Sequence, residues 1–361
     1  MGWINRVMIA TMVVGTVVVG TAVFVVKRLN EPPKVPSGFV APTTRATPPP
    51  AGSAQTPRST QATVPQAVGP VLAAGDIVFA SDRTGNFEVW AMRADGSRPR
   101  QLTNDPATDA WWPRPSPDRR TILFNRTPAG VHDRDYGAVS LWSMGADGSG
   151  SQLLRPPGLD GWSQQGHAEW SPDGSHMVMF GGSKINPQIY VTDSVGQNPA
   201  KITSRGGTNL DPSYSPDGST VVFVGCPRSF CQADDYEIYT VAATGGAVTR
   251  ITDNSLRDHD PYYSPDGSQL AWLTQVSGAN AKDPIGVWDV TVAAADGSGA
   301  HLLTGDSNVT SRPIWSSDGS TVLVHRLEKG TDSAFQLFRI DVRSGKVTRL
   351  TSGRSTNEYP G

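Results

Sequence analysis

A five-residue string recurs along this chain, and no other feature restricts its fold so tightly. Aromatic-Ser-Pro-Asp-Gly stands at Trp170–Gly174, Tyr214–Gly218 and Tyr263–Gly267, with altered copies at Trp315-Ser316-Ser317-Asp318-Gly319 and Pro115-Ser116-Pro117-Asp118-Arg119. Five copies, 44 to 55 residues apart, mark a tandem array of supersecondary units.

Each copy is followed by a short apolar run: Ile122–Phe124, Met177–Phe180, Val221–Val224, Leu270–Leu273 and Val322–Val324. Ile77-Val78-Phe79 opens the array with the same kind of run, giving six units. A second run follows near Trp90, Trp142, Tyr190, Tyr239, Trp288 and Phe338. Gly-containing turns come next, such as Asp95-Gly96, Asp147-Gly148, Gly245-Gly246 and Asp296-Gly297, and most units close on Leu-Thr or Ile-Thr. Asp-Gly and Gly-Gly pairs supply the positive φ that tight hairpins need, while β-branched and aromatic residues fill stacked sheet faces. Counting the strand that carries the Ser-Pro-Asp motif, each unit holds four strands, and four-stranded units at this period are propeller blades. The expected fold is all-β: a six-bladed β-propeller of four-stranded blades over residues 71–361.

The string Phe79-Ala80-Ser81-Asp82-Arg83-Thr84-Gly85-Asn86-Phe87-Glu88-Val89-Trp90-Ala91-Met92-Arg93-Ala94-Asp95-Gly96, followed by Gln101-Leu102-Thr103, resembles the repeat of TolB-type propellers. The resemblance runs over residues 76–361 and does not extend to the N-terminal α/β domain of that family. It therefore implies the fold and not a role in the Tol–Pal system. The chain stops at Gly361, where another innermost strand is due. Two segments can close the ring: Pro70–Ala74, or the last residues pairing with the first blade, since an open blade would expose unpaired edges.

Ahead of the array, Val7–Val26 runs for twenty residues without a charge, long enough at about 1.5 Å per residue to span a bilayer core. Residues 1–28 are expected to form a signal anchor or transmembrane helix; a shorter apolar region ending near Gly20-Thr21-Ala22 would instead be a cleavable signal peptide, leaving the protein secreted. Arg6 on one flank and Lys27 with Arg28 on the other do not fix the orientation. Residues 29–70 hold ten prolines among Ala, Ser, Thr and Gln, the composition of a disordered tether reaching roughly 35 Å when flexible. The propeller is thus expected outside the cytoplasmic membrane of a bacterial envelope.

The formal charge of −2 conceals an asymmetry, because residues 71–361 hold 25 basic and 32 acidic residues, a net of −7. An acidic globular part excludes nucleic acid as the expected partner, since phosphate binding needs a basic face. Cys226 and Cys231 are the only cysteines; an exported chain favours a loop-stapling disulfide between them, with free thiols as the alternative.

Propellers bind ligands at the mouth of the central channel, where the loops leading into the innermost strands converge. Those loops precede Pro113, Ala168, Pro212, Pro261, Pro313 and Pro360, which places Trp112, His167, Asp211, Asp260, Arg312 and Tyr359 in a ring around one opening, with Asp258 and His259 nearby. Asp-x-Pro in such loops can equally just end a turn. His167, Asp211, His259 and Asp260 could converge on a cation, yet no local spacing supports a metal site, and none is expected. Trp111-Trp112 could stack on a sugar or peptide, or be a half-buried pair. No Gly-x-Ser-x-Gly nucleophile motif occurs, and the Gly-rich strings lie between strands rather than opening helices, so no catalytic residue or cofactor is expected. The leading expectation is a non-enzymatic scaffold for an envelope protein or peptide. The alternative is an enzyme working in the channel, of polysaccharide lyase or lactone hydrolase type.

Overall fold

The computed structural model describes residues 71–361 apart from 204–205, 229–230, 232–235, 278–285, 306–307 and 328–333. The expected anchor (1–28) and tether (29–70) lie outside the described residues. Among the described residues no helix is long and apolar enough to cross a membrane.

The apolar runs pair as six antiparallel meanders. The first blade holds β1 (Ile77–Ser81), β2 (Glu88–Met92) and β3 (Arg100–Gln101); the second holds β4 (Thr108–Pro115), β5 (Thr121–Pro128), β6 (Ser140–Gly145) and β7 (Gln152–Arg155). The third comprises β8 (Gln164–Trp170), β9 (His176–Ser183), β10 (Asn186–Asp193) and β11 (Ala200–Lys201), and the fourth β12 (Asn209–Tyr214), β13 (Thr220–Gly225), β14 (Glu237–Ala242) and β15 (Thr249–Arg250). In the fifth are β16 (Arg257–Tyr263), β17 (Gln269–Ser277), β18 (Val287–Ala294) and β19 (His301–Leu302), and in the sixth β20 (Val309–Trp315), β21 (Thr321–Leu327), β22 (Gln336–Asp341) and β23 (Val347–Arg349). A single parallel bridge, Trp288 to Val309, joins the fifth and sixth sheets.

Hydrophobic clusters fill all six seams between blades. Val78 and Val89 meet Ile122 and Phe124 between the first two; Ile77 and Phe79 meet Leu323 and Leu337 between the last and the first. The recurring motifs make the joints. In each Ser-Pro-Asp turn the Ser hydroxyl donates to the Asp carboxylate, as from Ser171 to Asp173 and from Ser264 to Asp266 (both 2.6 Å), and accepts the N–H five residues on. The proline then lies against the next blade's turn glycine, Pro117 under Gly174 and Pro172 under Gly218. The closing threonine works inside its own blade: Thr252 Oγ1 accepts from Ile238 N (2.9 Å) and donates to Glu237.

The ring closes through a twenty-fourth strand, β24 (Asn357–Glu358), which pairs antiparallel with β1 and becomes the innermost strand of the first blade. Gly361 extends the ladder with reciprocal bonds to Val78 of 2.9 and 3.0 Å. Of the other candidate, Pro70–Ala74, the described residues 71–74 do not supply that strand: Leu72 is buried at the first seam, its N–H donating to Arg119 O. The C-terminal residues win because they continue the channel-lining run of the preceding blades, Pro360 matching Pro313.

Gly148 and Gly174 separate two reasons for a turn glycine. Both have positive φ (91° and 70°), but a Cβ at Gly148 would lie 2.5 Å from Leu102 O of the preceding blade, whereas at Gly174 the nearest atom is 3.7 Å away. Gly174→Ala is expected to cost about 1–2 kcal/mol for backbone strain alone, and Gly148→Ala clearly more; chemical denaturation of the two variants checks the order.

Candidate binding site at the channel mouth

The six residues expected in a ring share one backbone feature. Trp112, His167, Asp211, Asp260, Arg312 and Tyr359 all have left-handed φ, between 49° and 58°. The first five lie within the innermost strands and not in the loops before them, and Tyr359 directly follows β24. Five of these strands shift register there, between Trp111 and Arg114, Gly166 and Glu169, Leu210 and Ser213, His259 and Tyr262, and Ser311 and Ile314. A bulge leaves one residue unpaired, which is why a proline without an N–H fits at the next position inside a strand. Each such non-glycine residue carries a strain of about 1–3 kcal/mol, so the conformation is imposed by the strands around it.

From these bulges the side chains meet across the channel. The Trp112 indole lies flat against the His167 imidazole, centroids 3.5 Å apart and planes 5° from parallel. On Trp112 also sits the Arg312 guanidinium, 3.0 Å from the ring centroid. Arg312 leaves the sixth blade and donates to Glu169 Oε1 (2.9 Å) on the third, directly opposite, and to the Tyr262 hydroxyl (2.7 Å) on the fifth. Glu169 Oε1 also accepts from Arg114 Nε and from Tyr262 OH (2.9 Å), and Arg114 donates through Nη1 to Pro360 O (3.1 Å) beside the closing strand. Stacked and braced in this way, Arg312 and Trp112 bar the channel. With Trp111 fully buried and Trp112 4% exposed, the pair is no open stacking platform.

Asp211 is held by two imidazoles, His167 Nδ1 on one oxygen and His259 Nδ1 on the other (3.3 Å). Burial opposes its charge, but these two partners hold its pKa well below the usual carboxylate range. His259 accepts from Arg257 Nε at its other nitrogen (3.0 Å), and burial with that guanidinium lowers its pKa. Asp260 has no such support: burial and the neighbouring Asp211 push its pKa well above the ordinary value. Asp258 is placed differently from the ring. It is fully buried and accepts from Trp272 Nε1 (3.0 Å), Thr274 Oγ1 (2.7 Å) and Asn254 Nδ2 (2.9 Å), so it braces the fifth blade.

Five further residues belong to the site. Arg114, Glu169 and Tyr262 stand two positions beyond Trp112, His167 and Asp260, and strand alternation brings them back to the channel; that spacing was readable in the sequence. Asp133 and Tyr136 come from the β5–β6 connection, where Tyr136 OH meets His167 Nε2 (2.8 Å) and Tyr359 OH donates to Asp133 (3.1 Å). Nothing local in the sequence points that loop at the mouth. Cys226 and Cys231 form a disulfide in the β13–β14 connection, Cα atoms 6.1 Å apart. Among the described residues no group of three or more His, Cys, Asp or Glu is arranged to hold a metal ion. A cleft of about 620 Å³ opens at the far end of the third and fourth blades, but Ser171, Asp173 and Asp217 on its wall are engaged in the turn bonds that build the blades.

Burial, with Asp133 and Asp82 close by, pushes the Glu358 carboxyl up to about 7 against the pull of His132. A raised folded-state value contributes stability at low pH that is lost as pH rises through it. Glu358→Gln should therefore gain melting temperature relative to the unsubstituted chain between about pH 5 and about pH 8, by a few degrees. Parallel melts at the two pH values check this.

No family model matches the chain. Among curated proteins, an uncharacterized protein of Agrobacterium fabrum is 36% identical over 107 residues, covering 28% of this chain and 34% of that one. A TolB homolog of Chlorobium luteolum is 29% identical over 162 residues, 43% of this chain and 33% of the relative. The chain thus spans about a third of the length of these curated relatives. Among solved structures, TolB of Acinetobacter baumannii superposes with a TM-score of 0.62 at 19% identity, covering 79% of this chain and 66% of the other. Oligogalacturonate lyase of Vibrio parahaemolyticus superposes at 0.51 and 14% identity, covering 77% and 74%. These likenesses at low identity establish the fold alone, while the sequence matches join it to TolB homologues. The chain carries a six-bladed propeller of the TolB type.

Proposed function

We propose that this chain is a membrane-tethered, extracytoplasmic binding scaffold of the bacterial envelope, taking a protein or peptide partner at the channel mouth without catalysing a reaction. The observation that carries the reading is the barred channel. Arg312 and Trp112 close it across its width, so a partner meets a shallow, rigid floor with Asp211, Asp260 and Tyr262 on it and Asp133 on the rim. A floor built on strained backbone and cross-channel bonds is preorganised, and so loses little freedom when a partner settles on it. The N-terminal apolar segment and the Pro-rich stretch support the tethered location, and the TolB homologues support an envelope setting.

The channel-sited enzyme has one observation in its favour: adjacent carboxylates, Asp211 and Asp260, with pKa values pushed in opposite directions. Against it, both oxygens of Asp211 are committed to imidazoles, so Asp211 is not free to serve as the base beside Asp260. The oligogalacturonate lyase likeness is one of fold.

Crosslinking and affinity capture from envelope extract with the full chain, against an Asp133→Ala/Asp260→Ala variant, tests the reading. The expected result is a partner captured by the unsubstituted chain and lost with the variant, whose melting temperature stays within a few degrees. Capture of the same set by both forms would overturn it.

A further inference from the structure

Bonding at the mouth is one-sided. The carboxylate of the part-buried Asp260 has no hydrogen-bond or ion-pair partner among the described residues. Glu169, 12% exposed, takes its bonds from Arg114, Arg312 and Tyr262 on Oε1 alone. Behind these acceptors stand buried donors with nothing to donate to: Arg312 Nε and Nη1, Arg114 Nη2 and Trp112 Nε1, on side chains no more than 5% exposed. All three gather at one indole, the Arg114 and Arg312 guanidinium carbons lying 5.1 and 3.0 Å from the Trp112 ring. Buried donors rarely stay unpaired, and a group of them beside an unpaired acceptor marks a place that a polar ligand completes.

The charges choose the ligand class. Four carboxylates, Asp133, Glu169, Asp211 and Asp260, face three guanidiniums, Arg114, Arg257 and Arg312. Two of those guanidiniums donate to Glu169, and Arg257 donates to His259. Arg114 and Arg312 are buried and Arg257 is stacked on Tyr236 and Trp288, while the part-buried carboxylate of Asp260 is left unpaired. An anion would meet Asp260 and Asp133 first.

We propose that the channel mouth is a subsite for a positively charged nitrogen group, an alkylammonium or guanidinium of a peptide, which pairs with the Asp260 carboxylate. This rests on the binding reading above and names the chemistry that the mouth selects. A cation favours ionised Asp260, whose own surroundings, with Asp211, Asp133 and Glu169 against Arg114, hold the proton on. Binding therefore expels a proton and strengthens as pH rises.

Four short peptides test it by calorimetry on the full chain: acetyl-Ala-Lys-Ala-amide, Ala-Ala-Ala-amide with a free amino terminus, acetyl-Ala-Ala-Ala-amide and acetyl-Ala-Glu-Ala-amide. The expected result is binding of the lysyl peptide, the free-amine peptide or both, with none of the neutral and glutamyl peptides; which cation binds identifies its source. Asp260→Asn, which keeps the shape and removes the charge, should weaken that binding about tenfold or more. Equal binding of the neutral peptide, unchanged binding by Asp260→Asn, or binding of none of the four would each overturn the inference. If none binds while envelope capture still depends on Asp133 and Asp260, the subsite chemistry falls and the binding scaffold stands.

Discussion

The left-handed backbone at the six bulges is the constraint on which the channel depends. An L-residue enters that region at a cost, and here residues as bulky as Trp112, Arg312 and Tyr359 are held in it, one per blade. Without the bulge the following proline would interrupt a ladder in mid-strand, and the preceding side chain would point along the blade instead of into the ring. With it, six strands from points far apart in sequence deliver their side chains to one axis. The strain is tolerated because each bulge lies between paired stretches of strand whose seams are already filled on both sides.

Much of the fold was legible because its signals are local and repeated. The Ser-x-Asp turn, the Asp-Gly hairpin and the Leu-Thr ending each make the same bond or contact wherever they occur, so their spacing alone counts the blades. Closure could be narrowed only to two candidates, since the choice between Pro70–Ala74 and β24 turns on which segment reaches the open edge of β1. The ring of six was legible from the pre-proline positions, but its geometry was not. A sequence that reads as a loop ending in proline proved to be a strand with a bulge, and the cross-channel contacts of Arg312 join residues 143 positions apart. Asp258 shows the same limit: its three hydrogen bonds come from Trp272, Thr274 and Asn254, and only the packed blade brings these together.

Electrostatics then divide the mouth into two levels. At the lower level Arg114, Arg312, Glu169 and Tyr262 form a braced layer around the Trp112–His167 stack, where removing one member strands the charge of another. At the upper level Asp211 is satisfied by His167 and His259 while Asp260 is not, although the two stand on neighbouring blades. Two like groups in unlike surroundings give the floor one fixed charge and one that responds to what approaches it.

The central claim is that Arg312 bars the channel by bonding Glu169 across it. A double-mutant cycle with Arg312→Met, Glu169→Gln and the double variant, read by denaturant unfolding, measures that contact directly. The account predicts that the two changes are strongly non-additive, with an interaction of about 1–3 kcal/mol. Additivity within about 0.5 kcal/mol would mean that the two side chains do not meet, and the channel would then have to be treated as open.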